Sequence, residues 1–252
     1  MDGNEVSLKR KRVTCLLVVI AILAASFLVM DWLLFFRCGA VEQCLVGGSV
    51  YQNVAKFAVT AFAALVVFLI GKDCLSSRDR TFLQAAFVMA VCADFCMKIV
   101  SGYALVGIGF FMAVQTLLIV RHTRRNDGDN SFPRILCIPF GAGVLAAALA
   151  VSGVFSGPNL PIVAAYGVFV ICSLIAACRA SGKGFFPAGN ARQIKWGMIL
   201  FFCCDVCVGV SGLVSADHSV QEIVATVAHN LVWMFYTPAL VLLALSGYRR
   251  DA

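Results

Sequence analysis

Residues 13–36 read VTCLLVVIAILAASFLVMDWLLFF, an apolar run of 24 residues whose single charged side chain is Asp31. A run of this length folded as an α-helix is long enough to cross a lipid bilayer. It follows four basic residues at 9–12, and it exceeds the apolar core of a cleaved signal peptide, which has about 7–15 residues. We therefore interpret it as a retained first membrane span.

The whole chain has the composition of a membrane protein. Its 252 residues are 61% hydrophobic and only 13% charged. A soluble domain could not bury that much apolar surface, because too few polar residues would remain to cover it. The net charge of +7 does not indicate nucleic-acid binding, since the basic residues lie in short loops between apolar runs.

Eight apolar runs are present, at Val13–Phe36, Asn53–Ile70, Thr81–Val100, Tyr103–Val120, Ile135–Phe155, Pro161–Cys178, Ile194–Val214 and Ile223–Leu245.

The loop charges predict how these spans are oriented. Lys and Arg concentrate before the first span, in the loops after the second, fourth and sixth spans, and after the eighth. Because cytoplasmic loops of membrane proteins are enriched in Lys and Arg, we predict an all-α bundle of eight transmembrane helices with both termini in the cytoplasm. The chain then forms one multi-pass domain over residues 1–252 in the cell membrane, with a basic cytoplasmic tail at residues 1–12.

The pattern Cys-x-Asp-x-Cys occurs twice, as CADFC at 92–96 in the third span and CCDVC at 203–207 in the seventh. On a helix Cys92 and Cys96 share a face, whereas Asp94 points about 200° away. The pattern therefore does not indicate a metal site, and we expect no metal and no other cofactor.

Most of the twelve cysteines lie inside apolar runs, where cysteine packs as a small apolar residue. Only Cys38 and Cys44, in the predicted loop after the first span, are placed to form a disulfide.

Ionisable side chains collect in the outer half and middle of the predicted bundle. Such groups within a membrane usually line a cavity or pair with each other, so we predict a polar pocket that opens toward the outer side. Asp94 and Asp205 are the candidate catalytic residues. The candidate substrate-binding residues are Lys56, Lys98, Gln115, Tyr166, His229, Asn230 and Tyr236.

Each of these residues also has a structural interpretation. A pair between Asp94 and Lys98 would be structural, whereas Asp205 has no charged neighbour on its own helix. The other structural alternatives are solvation at the interface for Asp31 and Lys56, packing within the bundle for His229, and interfacial positions for Tyr103 and Tyr166.

Four stretches resemble the YhhN family of eight-helix membrane proteins, which includes the lysoplasmalogenases. AFVMAVCADFCMKI at 86–99 is similar to the third helix of the family, with Ala93 at the position of a glycine before Asp94. WGMILFFCCDVCVGV at 196–210 resembles the seventh helix, with Cys204 at the position of a serine before Asp205. YALVGIGFFMAVQTLLIVRH at 103–122 is similar to the fourth helix, and WMFYTPALVLLALS at 233–246 resembles the terminal helix, with Leu240 at the position of a glutamine.

The resemblance implies a hydrolase that cleaves the vinyl ether bond of a lysoplasmalogen, a lysophospholipid, to a fatty aldehyde and a glycerophospho-base. Vinyl ether hydrolysis needs a general acid and a carboxylate, and two aspartates in different surroundings can supply both. We expect Asp205 to be the acid and Asp94, near Lys98, to stay ionised. A proton-coupled transporter and a noncatalytic lipid-binding protein are the alternatives, and the sequence leaves open whether the chain forms a homo-oligomer.

Overall fold

The structure, a computed structural model, describes residues 3–45, 50–100, 102–125, 134–152, 159–213 and 219–249. These ranges contain eight α-helices and no strand, and all eight are long and apolar enough to cross a membrane, as judged by length and composition. This confirms the predicted all-α bundle of eight membrane-spanning helices. The helices are α1 Gly3–Leu45, α2 Val50–Phe68, α3 Ser77–Asp94, α4 Ala104–His122, α5 Cys137–Val151, α6 Asn159–Cys178, α7 Ala188–Leu213 and α8 Ser219–Leu245.

The segments next to the two chain termini meet at one end of the bundle, which we call the terminal end. Lys9 near the start of α1 pairs with Asp73 and donates to the carbonyl oxygen of Ile70 at 2.5 Å. The backbone nitrogen of Arg249 donates to the carbonyl oxygen of Asp73 at 2.7 Å. The opposite end is called the distal end below. That the terminal end faces the cytoplasm stays a prediction from the loop charges.

Helix α1 is longer than the apolar run predicts. It starts at Gly3 and continues through Leu45, so the basic segment before the run and the segment after it extend the helix. Lys, Arg, Gln and Glu are good helix formers and no proline interrupts them, which explains why an apolar run underestimates the helix. The prediction that Cys38 and Cys44 lie in a loop was therefore wrong, because both lie in α1. Their side chains are outside the described part of the structure, so the predicted disulfide stays a prediction.

Helix α3 ends in a π-helical turn. Residues Phe95–Ile99 form this turn directly after Asp94, and the nitrogen of Val100 donates to the carbonyl oxygen of Phe95 at 3.1 Å. Gly107 on α4 lies against it, because a side-chain carbon at this glycine would stand 2.5 Å from Cγ of Met97 and 3.2 Å from the carbonyl oxygen of Ala93. The glycine thus allows α4 to approach the end of α3 closely.

A buried polar network joins α3, α4, α7 and α8 near the terminal end. Arg121 on α4 is fully buried and donates to both carboxylate oxygens of Asp79 on α3, at 2.9 and 3.1 Å. The same guanidinium donates to the hydroxyl of Ser246 at 2.8 Å and to its carbonyl oxygen at 3.1 Å. Asn190 on α7 also donates to that carbonyl oxygen, at 2.9 Å. The network therefore holds α3, α4, α7 and the end of α8 together at the terminal end of the bundle.

Candidate functional site

A cavity of about 520 Å³ lies among α3, α4, α6, α7 and α8. Asp94 at the end of α3 and Asp205 on α7 both line it. Since Asp94 is the last residue of α3 and that helix begins near the terminal end, the cavity lies in the distal half of the bundle. The two Cys-x-Asp-x-Cys copies therefore place their aspartates on the wall of one cavity.

Asp94 is buried and receives two hydrogen bonds on one carboxylate oxygen. Its Oδ2 accepts from the hydroxyl of Thr60 on α2 at 2.5 Å and from the hydroxyl of Tyr236 on α8 at 3.1 Å. Lys98 in the π-helical turn lines the same cavity and lies over the ring of Trp233, 5.9 Å from its centroid. Three elements besides α3 therefore determine the surroundings of this carboxylate.

Asp205 has different surroundings. Its Oδ1 accepts a hydrogen bond from the hydroxyl of Tyr166 on α6 at 2.9 Å. Its Oδ2 is buried and has no hydrogen-bond partner among the residues that the structure describes. In the described part of the chain the hydroxyl of Tyr166 is therefore the only hydrogen-bond donor to Asp205. Asp94, by contrast, has two hydroxyl donors and Lys98 nearby.

Aromatic rings surround the two carboxyl groups. The ring of Phe111 on α4 lies 6.4 Å from that of Tyr166 and 6.2 Å from that of Tyr236, centroid to centroid. The ring of Phe201 on α7 lies 5.5 Å from that of Tyr236, and Trp233 lies 5.2 Å from the same ring. All five rings line the cavity, so its wall is apolar except near the carboxyl and hydroxyl groups and Lys98.

A second polar cluster lies beside the cavity without lining it. The ammonium of Lys56 on α2 lies 3.0 Å from Oδ2 of Asp31 on α1, and both side chains are buried. Gln52 donates to Oδ1 of Asp31 at 2.8 Å, and Asn230 on α8 donates to its carbonyl oxygen at 3.5 Å. Lys56 and Asp31 are therefore a buried ion pair and not side chains solvated at the interface.

The predicted site residues fall into two groups. Those that line the cavity are Asp94, Lys98, Tyr166, Asp205 and Tyr236. Those that do not line it are Lys56 and Asn230 in the second cluster, Gln115, which is buried on α4 close to Tyr166, and His229, which is exposed on α8 close to Lys98 and Lys56.

Thr60 is a hydrogen-bond donor of this site that the sequence analysis did not single out. A signal was available, because Gln52, Lys56 and Thr60 follow one another at intervals of four residues on α2 and are all buried. Residues at that spacing share one face of a helix. This stripe contacts Asp31 through its first two members and Asp94 through its third.

No curated protein and no solved structure matches this chain. The model of the YhhN family matches residues 51–247, which cover α2 to α8 and both aspartates of the cavity. The match extends over most of the chain and includes every helix that lines the cavity. The chain belongs to the YhhN family.

Proposed function

We propose that the protein is a lysoplasmalogenase-like hydrolase that cleaves the vinyl ether bond of a lysoplasmalogen to a fatty aldehyde and a glycerophospho-base. The observation that carries the proposal is that Asp94 and Asp205 line one cavity with different hydrogen-bond partners. Acid and base roles separate in this way when two carboxyl groups have different surroundings. Membership of the YhhN family and the resemblance to lysoplasmalogenases support the same reaction.

The first step is proton transfer to carbon. We assign this step to Asp205, which lines the cavity and accepts one hydrogen bond from the hydroxyl of Tyr166. It starts protonated and gives its proton to the alkene carbon that is not bonded to oxygen. The carbon–carbon π bond breaks, a C–H bond forms, and an oxocarbenium ion remains on the ether carbon. The aromatic rings around the carboxyl groups suit this step, because π faces attract positive charge.

Water completes the reaction. A water molecule attacks the oxocarbenium carbon and gives one proton to Asp94, which two hydroxyl donors and the nearby Lys98 hold as a carboxylate before this step. The hemiacetal then breaks its C–O bond to the glycerol. Asp94 returns its proton to the leaving oxygen and Asp205 takes the proton of the hemiacetal hydroxyl. Both carboxyl groups end in their starting states.

In this proposal Lys98 binds the phosphate of the substrate with its positive charge, close to the bond that is cleaved. It lines the cavity, and no ion pair within 4.0 Å engages its ammonium among the described residues. Lys56 is less suited to this role, because Asp31 already pairs with it.

The test is to incubate the purified protein in D₂O with a lysoplasmalogen and, separately, with the matching ester-linked lysolipid. We expect free aldehyde from the vinyl ether lipid alone, with one deuterium on the carbon next to the carbonyl group. Release of fatty acid from the ester, or aldehyde without deuterium, would contradict the proposal. Uptake of lipid into proteoliposomes without product would favour a carrier, and recovery of intact bound lipid would favour a binding protein.

A further inference from the structure

The cavity continues from the carboxyl groups into a groove between α6 and α7. Gly167 on α6 and Gly209 and Gly212 on α7 line it, and we call this part of the cavity the glycine groove. Asp205, Gly209 and Gly212 lie on successive turns of α7, so the groove extends about 10 Å from the carboxyl group toward the distal end, at 1.5 Å rise per residue. Its other lining side chains are apolar at Leu160 and Val208.

These three glycines are not required for close helix packing. A side-chain carbon built at any of them meets no atom within 4 Å. Gly197, lower on α7, differs, because a carbon there would stand 2.9 Å from Cγ of Leu243. Glycine destabilises a helix interior relative to alanine. The three glycines of the groove therefore leave open space along the cavity on α6 and α7, whereas Gly197 allows a close contact with α8.

The cavity also opens through the side of the bundle. Four residues that line the cavity are also exposed and not enclosed by the bundle, namely Leu160, Ile171, Val206 and Val208, with exposed fractions of 51%, 48%, 47% and 42%. All four belong to helices that are long and apolar enough to cross a membrane. The opening between α6 and α7 therefore faces the hydrocarbon of the bilayer.

We propose that the glycine groove binds one hydrocarbon chain of a single-chain lipid, which enters sideways from the bilayer and places its polar end at Asp205. The whole cavity, of which the glycine groove is one part, has a volume of about 520 Å³, within the range of about 300–1,000 Å³ of pockets that hold one small ligand. A cavity of this size has room for one long chain, and we expect the groove to bind a lysolipid in preference to a two-chain lipid. Which bond is broken rests on the proposed function, whereas binding of the chain does not.

The experiment measures binding without turnover. The purified protein in detergent is labelled with a lysophosphatidylcholine that carries a photoactivatable diazirine on its long chain, and labelled peptides are identified by mass spectrometry. We expect labelling on α6 and α7 around the glycine groove. Gly209→Leu and Gly167→Leu should each reduce labelling by the long-chain probe about tenfold and leave a short-chain probe bound. An excess of lysophosphatidylcholine should compete, and a two-chain phosphatidylcholine should not.

Gly141→Leu is the matched control, because Gly141 on α5 also has open space around it and does not line the cavity. It should leave labelling unchanged, and all three variants should keep the melting temperature of the parent protein. Labelling of Gly209→Leu at the parent level, or equal competition by the two-chain lipid, would overturn the proposal. Labelling of the groove in a protein that releases no aldehyde would support binding of the chain in the groove and contradict the proposed hydrolase activity. Aldehyde release with labelling outside the groove would support the hydrolase activity and contradict binding in the groove.

Discussion

Lys56 and Asp31 form an ion pair in the interior, one helical turn from the threonine that donates to Asp94. Removing two charges from water is unfavourable, and their attraction offsets this only when both are present and hydrogen-bonded. Gln52 supplies one such hydrogen bond to Asp31. The pair therefore holds α1 against α2, and α2 in turn places Thr60 next to Asp94.

Lys56→Met should destabilise the protein by about 3–5 kcal/mol, because it leaves Asp31 charged and buried without its counter-ion. The double variant Asp31→Leu with Lys56→Met should recover much of that loss. Thermal unfolding in detergent measures both. Lys98→Met is the matched control and should change stability little, since no ion pair within 4.0 Å engages Lys98 in the described part of the chain. Equal stability of the single and double variants would contradict this role for the pair.

At the scale of secondary-structure elements, the π-helical turn after α3 determines how the side chains that follow Asp94 are oriented toward the cavity. Asp94, Met97 and Lys98 all line it although they span the junction between α3 and the turn. A π-helical turn contains one residue more than an α-helical turn of the same height, and such turns often occur at functional sites.

Inserting one alanine between Asp94 and Phe95 should keep the π-helical turn but rotate Lys98 by about 100°, the angle per residue of an α-helix. Asp94 precedes the insertion and should keep its hydrogen bonds. We expect the affinity for lysolipid to fall as much as in Lys98→Met, as measured by equilibrium binding in detergent. Cys96→Ala, which keeps the chain length, should bind like the parent protein. An insertion variant with parental affinity would show that the turn does not position Lys98.

The network around Arg121 connects four helices far from the cavity. Arg121→Met should destabilise the protein by about 3–5 kcal/mol, because Asp79 stays buried without its partner. Arg121→Lys should recover only part of this loss, since lysine lacks the planar fork that bonds two carboxylate oxygens. Arg192→Met, at an exposed arginine of α7, is the control for thermal unfolding in detergent. A parental melting temperature for Arg121→Met would contradict the structural role.

A helix could be predicted from the sequence where the residues of that helix alone indicate it. Apolar length alone identifies all eight helices, because each must match the bilayer by itself. The π-helical turn has no such signal, since apolar residues surround it on both sides. The partnership of Asp79 with Arg121 was also missed, because it joins side chains 42 residues apart. Both residues lie in predicted loops, where charged residues are interpreted as cytoplasmic.

At the scale of the whole molecule, the site depends on how helices distant in sequence are arranged. The sequence places Asp94 in the outer half of the membrane and Asp205 near its middle, because depth follows from position along each span. It does not distinguish Tyr166 and Tyr236, which donate to the two carboxyl groups, from His229, which lies exposed on α8. That distinction depends on the rotation of each helix in the bundle, which interhelical packing determines.

The central claim is that Asp94 and Asp205 act as one catalytic unit across the shared cavity. The most direct test is a double-mutant cycle on kcat/KM for aldehyde release, with Asp94→Asn, Asp205→Asn and the double variant, and with Asp73→Asn at the terminal end as the control. Each single variant should lose about 10²–10⁴-fold, and the double variant should be within a few-fold of the slower single one, because residues that act as a unit are not additive. Losses that multiply in the double variant, or parental turnover in either single variant, would contradict the claim.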